Sequence, residues 1–283
     1  MASSTTIFAI LAFGRLGESA KLSLETILKV HNVQICASGD LQGINWVQEN
    51  LSSIQLNKLC IHYIASEELA RLQLLPSDVL TYSHFGQERF IKLTTFKWYL
   101  ISDIFKRHPQ LKQLIFSDLD VYWLRNPIEN IFALEEYSSC VAVIQDDTPL
   151  NKSKVHFCTG IMFWANTTES INILNRLYTA QMTTNINGKF IPDEPIFNNW
   201  YEKSRDTSII KTLKPDQYVI GHRFFHLVLS FGFSLKNVIA FHSNYVVGEK
   251  NKKRRLFAIK YRLNRDARWI PFFLVELYKK TFH

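Results

Sequence analysis

Short apolar runs and helical stripes alternate along the first half of the chain. Thr6–Phe13, Val33–Ala37 and Leu59–Ile64 are apolar or small over strand length, so all three are predicted strands. Between them, Gly17–Leu28 and Leu41–Leu51 carry apolar residues at helical spacing. This alternation predicts a parallel sheet with crossover helices. Phe90–Phe105 is the clearest helix, with Leu93, Lys97, Leu100 and Ile104 on one stripe and Pro109 closing it. Leu114–Phe116 follows as a short strand that delivers Ser117-Asp118-Leu119-Asp120 at its carboxyl end, where ligands collect in open α/β sheets. The second half is less regular. Val141–Ile144, Ile161–Trp164 and Val238–Phe241 read as strands, Ser170–Tyr178 as a helix and Asp193–Trp200 as a short polar-aromatic segment. No repeat or linker interrupts the chain, which predicts one α/β domain over residues 1–248 and a C-terminal extension over 249–283.

Composition changes this picture in one place. The chain has 283 residues, 47% hydrophobic and 20% charged, enough to bury a core without staples. Its net charge of +8 lies wholly in the extension, where eleven Lys and Arg face three acidic residues and leave 22 of each sign before it. Phe257, Tyr261, Trp269, Phe272 and Phe273 interleave with those charges. A basic, aromatic tail suits an anionic membrane surface, or a solvated helix covering the domain's flank. No nucleic-acid recognition motif accompanies it, which excludes that partner class. The four cysteines form no C-x-x-C pair and read as small buried residues in a reducing compartment. With no basic leader and no run of roughly 20 apolar residues, the expected location is cytoplasmic, peripheral on a membrane. Sequons at Asn50, Asn151 and Asn166 keep open a Golgi-luminal domain cut from its anchor.

The chemistry starts at Asp118 and Asp120. Two carboxylates at alternate positions after a strand can bend round one hard divalent ion, completed by phosphate oxygens and water, and such an ion neutralises a departing diphosphate. Lys97 lies on an apolar stripe, where it either snorkels to water or is directed at an anion. Asp146-Asp147 ends another strand and borders a sugar site or opens a turn before Pro149. Thr159 and Gly160 bring backbone close to a ligand or mark a bulge. Asp193 and Glu194, before Pro195, suit sugar contact or a helix N-terminus.

The run from Phe116 through Pro127, Phe-Ser-Asp-Leu-Asp-Val-Tyr-Trp-Leu-Arg-Asn-Pro, resembles the core motif of the nucleotide-diphospho-sugar transferase family. That family includes plant xylosyl- and arabinosyltransferases and protist galactosyltransferases. Cys158-Thr159-Gly160-Ile161-Met162-Phe163, Asp193-Glu194-Pro195-Ile196-Phe197-Asn198, and His242-Ser243-Asn244 with Gly248 and Lys250 follow in the family's order. The resemblance, from Phe90 to Lys250, implies a GT-A (Rossmann-like) mixed sheet flanked by helices. It implies a retaining transfer from a nucleoside-diphosphate sugar, with UDP-sugar the expected donor, to a hydroxyl of a glycan, glycoprotein or glycolipid. Mn²⁺ is the implied cofactor, with Mg²⁺ second. Carried over position by position, Asp118, Asp120 and His242 are the metal ligands. Lys97, Asp118, Asp120, Thr159, Gly160, Gly248 and Lys250 bind the donor. Asp193 and Glu194 form the catalytic pair beside the sugar. Glu194 departs from the family, whose members carry Gln there; a carboxylate can be a nucleophile, steady a cationic sugar, or bind hydroxyls. Two other readings stay open. One is a haloacid-dehalogenase-like phosphotransferase with Asp118 as nucleophile, although that pattern sits near the N-terminus and expects Thr or Val at Tyr122. The other is a non-catalytic membrane- or partner-binding module on a transferase fold.

Overall fold

A computed structural model describes residues 6–14, 16–29, 33–51, 57, 59–63, 88–149, 153–183, 185–186, 189–204, 207–221, 235–244 and 250–256. In chain order its elements begin with β1 (Thr6–Ala12), α1 (Glu18–Ile27), β2 (Val33–Gly39), α2 (Leu41–Glu49) and β3 (Leu59–Tyr63). Helices α3 (Glu88–Thr94) and α4 (Phe96–Arg107) lead to β4 (Gln113–Ser117), β5 (Val121–Trp123), β6 (Ala142–Asp146) and β7 (Phe157–Ala165). Then come α5 (Thr168–Thr183), β8 (Asn185–Ile186), β9 (Lys189–Phe190) and α6 (Asp193–Lys203), and last β10 (Ile210–Thr212), β11 (Tyr218–Ile220) and β12 (Ala240–His242).

Seven strands form the main sheet in the order β10-β6-β7-β4-β1-β2-β3. The expected parallel arrangement holds for β3, β2, β1 and β4. Beyond them β7 runs antiparallel to both β4 and β6, which makes the sheet mixed. Helices cover both faces, so β4 and β7 are buried along their whole length and read as continuous apolar runs. One face packs Phe8, Leu24, Ile44 and Trp123; the other packs Trp98, Phe105, Leu177 and Phe197. A second sheet has the order β11-β12-β5, and its β5 follows β4 in the chain directly after the Asp118–Asp120 turn. Its antiparallel register sets His242 opposite Val121, one residue from Asp120.

Three expectations change. The predicted helix Phe90–Phe105 is broken at Thr95. The Thr95 N–H reaches back three residues to the Lys92 carbonyl at 3.2 Å. The Thr94 and Thr95 hydroxyls both donate to the Ile91 carbonyl, at 2.8 and 3.4 Å, competing with the helical ladder. The polar-aromatic segment Asp193–Trp200 takes a regular form as most of α6, with Asp193 and Glu194 in its first turn as the helix N-terminus reading had it. The strand predicted over Ile161–Trp164 is longer, beginning at Phe157, because burial continues through the Cys158-Thr159-Gly160 motif.

Residues 250–256 are helical and pack back on the domain, with Leu256 fully buried among Leu22, Tyr122, Val219, Val238 and Phe241. The rest of the basic extension, 257–283, lies outside the described residues. Among the described residues all four cysteines are free, and no helix is long and apolar enough to cross a membrane.

Candidate active site

Strand β4 leaves the sheet at Asp118, and two backbone bonds shape the acidic turn. The Asp118 N–H donates to the Gly160 carbonyl at 2.8 Å, and the Ser243 N–H donates to the Asp120 carbonyl at 3.0 Å. The turn is thereby pinned to β7 on one side and to the end of β12 on the other. His242 Nε2 lies 3.1 Å from Asp120 Oδ1 and 3.9 Å from Asp118 Oδ2. One ligand atom from each of Asp118, Asp120 and His242 falls within 4.8 Å of the others. Asp120 and His242 are buried, while Asp118 keeps 37% of its side-chain exposure and opens the group to solvent.

The imidazole is oriented for ligation. Gln145 Nε2 donates to the Tyr218 carbonyl at 3.3 Å, which turns Gln145 Oε1 toward His242 Nδ1 at 2.8 Å. With Nδ1 engaged by Gln145, Nε2 is the ring nitrogen that faces the acids and the one a cation between them would bind. Two carboxylates and one imidazole are a donor set that fits a divalent cation.

Gly160 supplies the room. Strand β7 slips against β6 there, since Ile144 faces Met162 but Gln145 faces Cys158. The bulge reading of this glycine holds, and its near neighbour is the His242 ring. A Cβ at Gly160 would lie 2.0 Å from His242 Cε1. Gly160→Ala must therefore push the imidazole off its bearing. We expect Mn²⁺ affinity, read from the Mn²⁺-induced rise in Tm, to fall about 10–100-fold, the usual loss when a ligand's orientation is disturbed. An unchanged rise would remove His242 from the ligand set.

Lys97 does not snorkel. It is 2% exposed, with Nζ 2.5 Å from Asp193 Oδ2, 3.6 Å from Asp118 Oδ1 and 3.3 Å from the Thr159 carbonyl. Thr159 Oγ1 donates to the same Asp193 oxygen at 2.5 Å. Burial works against the lysine charge, but Asp118 and Asp193 outweigh it and raise its pKa. Burial likewise pushes Asp193 up, and Lys97 overcomes this to hold the carboxyl below its ordinary value. Burial also lifts Asp118; Lys97 opposes, and repulsion from Asp120 keeps the net shift upward. A cation shared by both acids would relieve that repulsion.

Sequence reasoning pointed to Lys250, yet the described lysine nearest the acids is Lys252, whose Nζ lies 2.6 Å from Asp120 Oδ2. Burial opposes the Asp120 charge, but Lys252 and then His242 hold that carboxyl well below the usual range. Lys250 is exposed at the start of the same helical stretch, and Gly248 lies outside the described residues. Glu194 sits in the first turn of α6, with Oε1 3.1 Å from His156 Nε2, and Asp147 joins that pair. Asp146 caps the turn, its Oδ1 accepting from the Thr148 N–H at 2.7 Å. Gln145, His156 and Lys252 were not singled out from sequence; no local pattern marks them.

Residues 52–256 match the family model for nucleotide-diphospho-sugar transferases. Among solved structures, mouse xyloside xylosyltransferase 1 in its apo form is similar at 11% identity and TM-score 0.55, over 85% of this chain and 98% of that one. The galactosyltransferase LgtC, in complex with donor and acceptor sugar analogs, is similar at 9% identity and TM-score 0.56, over 89% and 96%. The apo-form glycosyltransferase GlyE of Streptococcus pneumoniae is similar at 10% identity and TM-score 0.55, over 89% of this chain and 60% of that one. Likeness at these identities shows the fold, a single-domain GT-A mixed sheet. No curated protein matches the chain.

Proposed function

Because this chain belongs to the nucleotide-diphospho-sugar transferase family and is a glycosyltransferase, we propose that it moves a sugar from UDP-sugar to a hydroxyl of a glycan, glycoprotein or glycolipid, with retention. The family assignment sets aside the dehalogenase-like use of Asp118. The convergence of Asp118, Asp120 and His242 at the end of β4 carries the reading. These three would hold Mn²⁺, with Mg²⁺ the weaker alternative, and a bound ion supplies charge neutralisation for the leaving diphosphate.

The chain's own residues do the remaining work. Lys97 balances Asp118 and Asp193, so three groups that differ in charge stay fixed before any ligand arrives. Thr159 and Gly160 bring the β7 backbone against the same site. Lys252 lies on Asp120, where its ammonium would add a point charge for a phosphate oxygen. Gly248 and Lys250 keep the donor-binding role that the family resemblance implies. Asp193 orients the sugar, and Glu194 faces the cationic character that develops at the anomeric carbon. Either attack by that carboxylate or its electrostatic support of the sugar on one face is consistent with retention. The basic extension is assigned to an anionic membrane surface on the cytoplasmic side, near a lipid-linked acceptor.

A donor screen tests this: nucleotide release from common nucleotide sugars, with and without Mn²⁺. We expect Mn²⁺-dependent hydrolysis of a UDP-sugar and a Tm rise that needs UDP and Mn²⁺ together. Neither turnover nor that shift, with vesicle binding retained, would instead establish a non-catalytic membrane module.

A further inference from the structure

Resting on the transferase reading above, we propose that His156 is a positioning residue that holds Glu194 in one orientation beside the donor sugar, with Asp147 completing the group from the end of β6. Glu194 Oε1 lies 3.1 Å from His156 Nε2, and one ligand atom from each of Asp147, His156 and Glu194 falls within 4.8 Å of the others. Neither the metal group nor the Lys97 network uses these three side chains.

The frame behind the pair is rigid. The His156 N–H donates to Thr148 Oγ1 at 3.0 Å, and its carbonyl accepts from the Asp147 N–H at 2.8 Å. Next along the chain, Phe157 is clamped by Asn198, whose Oδ1 accepts from the Phe157 N–H and whose Nδ2 donates to the Phe157 carbonyl, both at 2.9 Å. The same Nδ2 donates to the Glu194 carbonyl at 2.9 Å. One buried asparagine thus ties the backbone of Glu194 to the residue after His156. The distance between the two side chains is set by β7 and the first turn of α6 rather than by chance approach. The side chains themselves keep 40% and 28% exposure, so a ligand can reach the carboxylate that the imidazole steadies.

The charges facing His156 are Glu194 and Glu202 from α6 and Asp147 after β6; Lys154 pairs with Glu202 at 2.8 Å. The Glu194 hydrogen bond comes first, opposed by burial, and the net effect raises the imidazole pKa. The imidazolium therefore persists above the ordinary histidine value of about 6.5. Its charge is lost as pH rises through the raised folded value, which predicts a basic limb in the pH profile of kcat. A carboxylate held by a charged partner keeps one oxygen engaged and the other available, which an uncharged, freely rotating glutamate would not do.

Two measurements on the full chain test the assignment. The first needs no turnover: NMR titration of the His156 ring in wild type and in Glu194→Gln, where the pKa should fall toward the ordinary value. An unmoved titration overturns the pairing, whatever the donor screen shows. The second compares kcat in wild type, His156→Ala and His156→Gln. We expect a loss of about 10–100-fold in His156→Ala, the range for residues that orient a functional group, with KM for the donor little changed. Gln keeps an N–H donor, so it should recover part of kcat while lacking the basic limb. Wild-type turnover with kcat unchanged in His156→Ala overturns the positioning role while leaving the transferase reading standing.

Discussion

Asp120→Asn should lower the Mn²⁺-dependent donor hydrolysis proposed above by about 10²–10³-fold, the loss expected when one group that fixes transition-state charge is removed. The substitution is isosteric, and the bond that anchors this residue runs from the Ser243 N–H to its backbone carbonyl, so the turn keeps its shape. Lys252, with 27% side-chain exposure, can return to water when its partner is neutralised. Folding stability should fall as well, because, against burial, Lys252 and His242 hold this carboxyl well below its usual range, so turnover is compared on protein that circular dichroism shows to be folded. The Tm rise with Mn²⁺ and UDP should vanish. Turnover within tenfold of wild type, at saturating Mn²⁺, would falsify the metal assignment.

Lys97→Met should be the most destabilising single change in the site. Methionine matches the lysine stem over the Phe116 ring, which lies 4.9 Å from Nζ, so packing survives and the charge alone is lost. Asp193 is then left buried without its partner. Breaking one side of a buried ion pair costs about 3–5 kcal/mol, read as a shift in the urea midpoint at pH 7. Adding Asp193→Asn should restore part of that loss, because the amide can still accept from Thr159 and no unpaired charge remains. A single-variant loss below about 1 kcal/mol would match an exposed pair and place Lys97 outside the network.

The pH dependence separates the same alternatives. Lys97 holds the folded-state pKa of Asp193 below its ordinary value, so folded protein binds that proton more weakly than unfolded chain. The stabilisation is complete above about pH 4 and fades as pH falls through the lower folded value. In Lys97→Met the buried acid has the opposite preference, and protonation relieves it. The gap between wild type and variant should narrow as pH drops from neutral toward 4. A gap that stays constant would point to lost packing instead of a lost charge pair.

Local patterning made much of the main sheet legible. Strands β1 and β2 and helix α1 follow from runs and stripes of ordinary length, where apolar spacing carries enough residues to specify a period. Strands β5, β10 and β11 have three residues each, too few for any period to show. The break at Thr95 was hidden because the apolar stripe runs through it, while two threonine hydroxyls decide the geometry. The approach of Lys252 to Asp120 was not legible in the basic run at 250–255: Lys252 and Leu256 are four residues apart and share a helix face, so burying Leu256 turns Lys252 inward.

From sequence alone came the strand exit bearing Asp118 and Asp120, the ordered motifs ending at His242, and the α/β alternation that puts ligands at strand ends. These are short-range properties, written in residue type and spacing. Only the folded chain could decide that His242 meets Asp120, 122 residues before it, since that depends on the register of β12 against β5. The same holds for Lys97 against Asp193 and for His156 against Glu194, whose partners lie 96 and 38 residues away. Pairings across such separations are set by sheet order and helix docking, which no window of neighbouring residues contains.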